Sequence, residues 1–179
     1  LRKLFDDLVA RLATEWNMAV CAVEPFPDHI LGAEIEPRFA AASTLSDEMH
    51  LRDLHQAADA LGTPTVGLMG FCMGGMYCFN SARSARFNKI VSFYGMIKVP
   101  QGWQSSTHAE PLDYLQNGNA DRVLAIIGGK DHYTPPADVA ELKNVGVRTE
   151  IYPEAEHAFA HDASRPAHRH QDSMSAFAH

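Results

Sequence analysis

Three side chains in this sequence could together perform nucleophilic chemistry: the thiol of Cys72, the carboxylate of Asp131 and the imidazole of His157. A thiolate attacks an electrophilic carbon, an imidazole within reach takes and returns its proton, and a carboxylate behind the ring fixes the tautomer and stabilises the charged form. Cys72 has the most telling surroundings. It stands in Gly70-Phe71-Cys72-Met73-Gly74, a G-x-C-x-G pattern that is the nucleophile elbow with sulfur in place of a hydroxyl. So tight a strand-to-helix turn is expected to bar bulk two residues before and two after the nucleophile, at Gly70 and Gly74. The turn also aims the thiol at a helix N-terminus, whose unpaired N–H groups and macrodipole favour an anion, so a thiolate is expected without any metal.

These residues need a scaffold, and the hydrophobic pattern supplies one. The apolar run from Thr65 to Phe71 reads as a short buried strand followed by a helix from about Met73 to Arg83. A further buried strand is expected at Lys89–Tyr94 and strands at Val123–Ile127 and Arg148–Tyr152, with helices near Leu112–Leu115 and over Pro136–Lys143. Before them, Leu1, Leu4, Phe5, Leu8, Val9 and Leu12 make one face of an amphipathic helix over Leu1–Trp16. Met18–Val23 fits another parallel strand, followed by a loop rich in Pro, Gly and acid from Phe26 to Pro37. A helix between Phe39 and Leu61, capped by Ser43, Thr44 or Ser46, ends at Gly62-Thr63-Pro64. Alternating strands and helices with short connections mark an α/β protein with a mainly parallel sheet flanked by helices. In such a sheet the carboxyl ends of the strands share one edge, so Cys72, Asp131 and His157, each just past a strand, are expected to converge there.

Composition narrows the function further. The chain has 179 residues, 46% of them hydrophobic, which is enough for a single domain over 1–179 whose tail from about 163 is loosely ordered or helical. A net charge of −7 without a cluster of Lys and Arg argues against nucleic acid, and no apolar run of about 18 residues exists to cross a membrane. Three cysteines fit neither a zinc site nor a redox pair, so Cys21 and Cys78 read as buried packing thiols and the compartment as cytoplasmic. Both a monomer and a homodimer remain open.

The three segments Val66–Gly75, Gly128–Pro135 and Tyr152–Ala160 resemble the signature segments of the dienelactone hydrolase family, and the resemblance extends from Leu1 to about Pro166. It implies an α/β-hydrolase fold, a catalytic triad of Cys72, Asp131 and His157, and hydrolysis of a small-molecule lactone or ester with neither metal nor organic cofactor. The chain order, nucleophile then acid then histidine, is that of the α/β-hydrolases. Two departures stand out. The strands that family members carry ahead of the first helix, with the second oxyanion donor and an acidic residue, have no counterpart here. Met73 N–H is then the one oxyanion donor assigned, and losing such a donor costs on the order of 10²-fold in rate. Members acting on dienelactone have an arginine four residues after the triad histidine, where this chain has His161; Arg165 lies nearby.

Phe71, Trp103, Tyr133, Phe159, His161 and Arg165 are candidates to contact substrate, with Phe26 a further aromatic of the same kind. Each triad residue also has an ordinary reading: an inert buried thiol, an aspartate bracing the turn before Pro135-Pro136, one of ten histidines on the surface. Two other functions compete. One is a catalytically impaired hydrolase-fold protein that binds a small molecule. The other is a metal site on His157, His161, His168 and His170, which Pro153 and Pro166 disfavour by leaving no helix to align them.

Overall fold

The structure is a computed structural model and describes residues 2–26, 31–32 and 34–179. Its residues gather into two compact units, Leu1–Pro64 with Gln101–His108, and Thr65–Pro100 with Ala109–His179.

The second unit is built on four parallel strands, β1 Val66–Phe71, β2 Phe87–Phe93, β3 Val123–Gly128 and β4 Arg148–Tyr152, in the order β1-β2-β3-β4. The apolar runs dictate this arrangement. Val123–Gly128 has no polar side chain and is buried throughout, as a strand flanked on both sides must be. Registers Phe71↔Phe93, Phe93↔Ile126 and Gly128↔Tyr152 bring the carboxyl ends of the strands to one edge. The crossovers are helical: α4 Met73–Ser81, α5 Pro111–Gln116 and α6 Pro136–Asn144. Each of α5 and α6 begins on a proline, whose missing N–H costs nothing in a first turn.

Under the carboxyl edge lies a core of Phe93, Tyr94, Leu124, Ile126, Ala155, Ala158, Phe159, Ala160 and Ala176. Full burial of a side chain such as Phe93 or Phe159 contributes about 1.5–3 kcal/mol. The tail is helical over α7, His170–Phe177, and is fastened back by Arg169 N–H to Phe159 O at 3.0 Å and Ser173 Oγ to Ala160 O at 2.7 Å.

The first unit is helical where it is regular: α1 Arg2–Trp16 buries Leu8 and Leu12, and α2 Ile35–Ala41 and α3 Asp47–Ala60 follow. Where one helix was expected between Phe39 and Leu61 there are two, separated by a 3-10 turn at Ala42–Thr44. Ser46 then caps α3, its side chain accepting from Met49 N–H, and Gly62 at φ +67° ends it. Met18–Val23 is not a strand. It has no ladder partner among the described residues, and without one an apolar run gains no burial, so Met18 and Cys21 are exposed. The inference that Cys21 is a packing thiol fails for the same reason, while Cys78 is buried on α4. Residues 27–30 and 33 of the expected loop lie outside the described residues.

Candidate active site

β1 ends at Phe71 and α4 begins at Met73, leaving Cys72 to make the whole turn with φ 54° and ψ −116°. An L-residue is held there only by its surroundings, at a cost of roughly 1–3 kcal/mol. Cys72 N–H donates to Phe93 O at 3.0 Å and its carbonyl accepts from Met76 N–H at 3.0 Å, so the turn is pinned to β2 on one side and to the helix on the other. Met73 is the first helical residue, and its N–H has no carbonyl four residues back within the helix.

The glycines divide differently from the sequence expectation. A Cβ on Gly70 would come within 2.2 Å of Gly74 O and 2.9 Å of Cys78 Sγ, so bulk is barred there as expected. Gly74 is a correction: a Cβ on it would meet nothing within 4 Å. The crowded partner is Gly75, where a Cβ would lie 2.7 Å from Gly95 Cα, because α4 and the end of β2 approach backbone to backbone.

Asp131 follows β3 and is buried; His157 follows β4. They meet directly, His157 Nδ1 lying 2.8 Å from Asp131 Oδ2. The other carboxylate oxygen accepts Tyr133 N–H at 2.9 Å, which holds the group's orientation. Burial pulls the pKa of His157 down, but the hydrogen bond that it donates to Asp131, the neighbouring Cys72 and the charges of both outweigh it and push it up to about 9. Nε2 of His157, the nitrogen on the side of the ring away from Asp131, is buried and makes no hydrogen bond.

Strain gathers at this edge. Among the described residues, three of the four non-glycine residues with positive φ are Cys72, Tyr94 at 41° and Ala158 at 62°, at or beside the turns that follow β1, β2 and β4. Tyr94 is the residue that sequence reasoning missed. It is fully buried, its ring sits edge-on to His157 with centroids 5.2 Å apart, and its hydroxyl is hydrogen-bonded to His161 Nδ1. The signal was available, since Tyr94 directly follows its strand, as Cys72 directly follows β1.

The remaining candidates are placed as follows. Phe71 stacks on His161 at 4.8 Å, and Tyr133, 44% exposed, stands edge-on to His157 at 4.8 Å. Phe159 is fully buried between Tyr94 and Tyr152. Arg165 pairs with Asp162 at 3.4 Å. Trp103 and Phe26 belong to the first unit, Trp103 against Phe39 at 5.4 Å and Phe26 buried beneath the Arg38 guanidinium at 5.6 Å. Among the described residues no group of three or more His, Cys, Asp or Glu could hold a metal ion, and no helix is long and apolar enough to cross a membrane.

The model of the dienelactone hydrolase family matches residues 31–178. The chain belongs to the dienelactone hydrolase family. Among family relatives, a Bradyrhizobium protein assigned as a 2-oxo-3-(5-oxofuran-2-ylidene)propanoate lactonase is 30% identical over 149 residues, 76% of this chain and 59% of that protein. Carboxymethylenebutenolidase 2 of Cupriavidus pinatubonensis is 27% identical over 165 residues, 88% of this chain and 68% of the relative. The chain thus spans about three-fifths to two-thirds of the length of these two relatives. A solved structure from Klebsiella pneumoniae, assigned as a dienelactone hydrolase, superposes with a TM-score of 0.75 at 22% identity, covering 98% of this chain and 78% of that one. The fold is therefore that of the α/β-hydrolases, with the parallel sheet described above.

Proposed function

We propose that the chain carries the catalytic apparatus of a lactone or carboxylic-ester hydrolase that works through an acyl-thioester on Cys72. The observation that carries this reading is the pairing of half-buried His157 with buried Asp131 at 2.8 Å, at the sheet edge that also carries a thiol on a strained turn. Cys72 gives its proton to His157 and attacks the carbonyl carbon, and the carbonyl oxygen takes up negative charge facing Met73 N–H. Collapse expels the alkoxide, which takes the proton from His157, leaving a thioester and a neutral imidazole. With the sulfur acylated, the part of the raised pKa that Cys72 supplies is gone. The same ring can then act as a base, taking a proton from water as the oxygen attacks the thioester, and the thiolate leaves as the carboxylic acid forms. Asp131 keeps Nδ1 protonated throughout, so Nε2 is the nitrogen that exchanges protons.

The substrate is a small-molecule ester or lactone, in line with the reactions for which the relatives are named. An activated aryl ester should give a burst of leaving group equivalent to the enzyme present, followed by slower turnover. The burst should be absent in Cys72→Ala; identical traces from the two proteins would refute the reading.

A further inference from the structure

The two loops that carry Asp131 and His157 lie on each other backbone to backbone. The chain leaving β3 donates Gly129 N–H to Tyr152 O at 2.7 Å and Lys130 N–H to Ala155 O at 2.9 Å. The second bond joins the residue immediately before Asp131 to one near His157 in the sequence, with only Glu156 between. The histidine side of this contact is stiff. Tyr152 O also accepts Ala155 N–H at 3.0 Å, closing a β-turn whose second residue is Pro153, where the proline ring already sets φ.

The contact is too close for side chains. A Cβ on Gly128 would lie 2.6 Å from Ala155 O and 2.9 Å from Glu156 O, and one on Gly129 would lie 2.6 Å from Pro153 O and 2.7 Å from Pro153 Cα. All of these are backbone atoms, which cannot swing aside as the end of a side chain can. Neither glycine has a positive φ, the two that do being Gly62 and Gly146, so Gly128 and Gly129 are needed for proximity and not for conformation. Opening 2.6 Å to the 3.0 Å that Cβ contacts essentially never undercut means a retreat of about 0.4 Å, close to the whole tolerance of roughly 0.5 Å within which catalytic groups must be held.

Side chains also bridge the two loops, through the Asp131–His157 hydrogen bond at 2.8 Å and the Lys130–Glu154 ion pair. The ion pair is exposed at both ends, where water screens it and leaves it little hold on the loops. The hydrogen bond joins the tips of two side chains and forms only where their backbones already stand at the right separation. We propose that the packing of Gly128 and Gly129 on the turn from Tyr152 to Glu156 sets the register of His157 against Asp131, which makes the two glycines positioning residues for the dyad. Their effect on turnover rests on the hydrolase reading; the register does not.

The titration of His157, followed by its ring nitrogen chemical shifts, tests this without substrate. Its midpoint should lie near 9 in the unaltered protein. Gly128→Ala and Gly129→Ala should each lower it by about half a unit or more, roughly a three-fold loss of proton affinity, as the bond to Asp131 lengthens. Gly118→Ala is the control for destabilisation alone. Its Cβ would come 2.6 Å from Tyr114 O and 2.8 Å from Ala82 O, beyond the end of α4 remote from Cys72, so it crowds the fold as severely without touching either loop. In Gly118→Ala and in Glu154→Gln the midpoint should move by less than about half a unit. Hydrogen exchange of Asp131→Asn supplies a measurement that does not depend on the glycine variants folding. The Gly129 and Lys130 amides should stay protected to within about ten-fold of the unaltered protein, because their bonds do not need the carboxylate.

A smaller fall in either folded glycine variant overturns the proposal, as does an equal fall in Gly118→Ala or Glu154→Gln, loss of that amide protection in Asp131→Asn, or an ordinary His157 midpoint in the unaltered protein. In p-nitrophenyl acetate hydrolysis the two glycine variants should lose roughly 10–10²-fold in kcat with KM within about three-fold. Lowered midpoints in a protein that does not hydrolyse the ester would sink the hydrolase reading and leave the register standing. Hydrolysis with unmoved midpoints would do the reverse.

Discussion

Replacing Asp131 by Asn preserves the side chain's size and one of its two hydrogen bonds, which makes it a sharp probe of the dyad. The amide oxygen can still accept Tyr133 N–H, now made at 2.9 Å, and this turns the NH2 group toward His157 Nδ1, which Oδ2 now meets at 2.8 Å. Nδ1 must then accept rather than donate, and its proton moves to Nε2, the nitrogen that has to receive the thiol proton. The same swap in a Ser-His-Asp site costs on the order of 10⁴ in kcat; a thiol is more acidic than a hydroxyl, so we expect a loss of roughly 10²–10⁴-fold. Stability supplies a second magnitude. A rise of the folded pKa from 6.5 to about 9 is worth up to about 3 kcal/mol, fully present below pH 6.5 and lost as pH rises through 9. The variant should therefore be less stable by an amount largest near pH 6 and fading toward pH 10. Initial rates with p-nitrophenyl acetate at pH 7 and urea unfolding at the two pH values measure both. A rate within ten-fold of the unaltered protein, or a stability deficit that grows with pH, would refute the reasoning.

Other consequences follow from the same coordinates. Gly75→Ala forces a Cβ to within 2.7 Å of Gly95 Cα and should destabilise by about 1–3 kcal/mol in chemical denaturation, whereas Gly74→Ala, with open space around it, should be neutral or slightly stabilising. His161 carries the opposite linkage to His157: its folded pKa is depressed to about 4, so it contributes stability above pH 6.5 that is lost as pH falls toward 4, up to about 3 kcal/mol. His161→Phe should flatten that part of the acid limb; an unchanged acid limb would show that the ring is not neutral in the fold. The alkaline limb of kcat/KM should fall with an apparent pKa near 9, where His157 loses the proton it hands to the leaving group. A profile flat from pH 8 to 10 would remove His157 from that role.

Much of this fold was legible in residue types. Four strands lie close to where the sequence put them; Val123–Gly128, buried throughout, has no polar face to confuse the pattern, and Arg148–Tyr152 matches to the residue although this edge strand carries Arg148, Thr149 and Glu150 and is nowhere fully buried. Met18–Val23 misled because an apolar run records only a tendency to be covered, and pairing is a tertiary fact that the run does not contain. Gly74 and Gly75 illustrate the same limit at the elbow. Adjacent glycines look alike in sequence, and only the approach of Gly95 tells which one is needed. The partnership of Asp131 with His157 could be anticipated from strand ends sharing an edge. The hydrogen bond from Tyr94 to His161 could not, since it links residues 67 apart through a strained backbone at Tyr94.

The measurement that bears most directly on the central claim is acid-quenched mass spectrometry of the protein mixed with p-nitrophenyl butyrate. One butyryl group per chain on the peptide that contains Cys72, appearing as fast as the burst and decaying at the turnover rate, is the predicted result. An unmodified Cys72 during turnover, or an acyl group on another residue, would contradict the account.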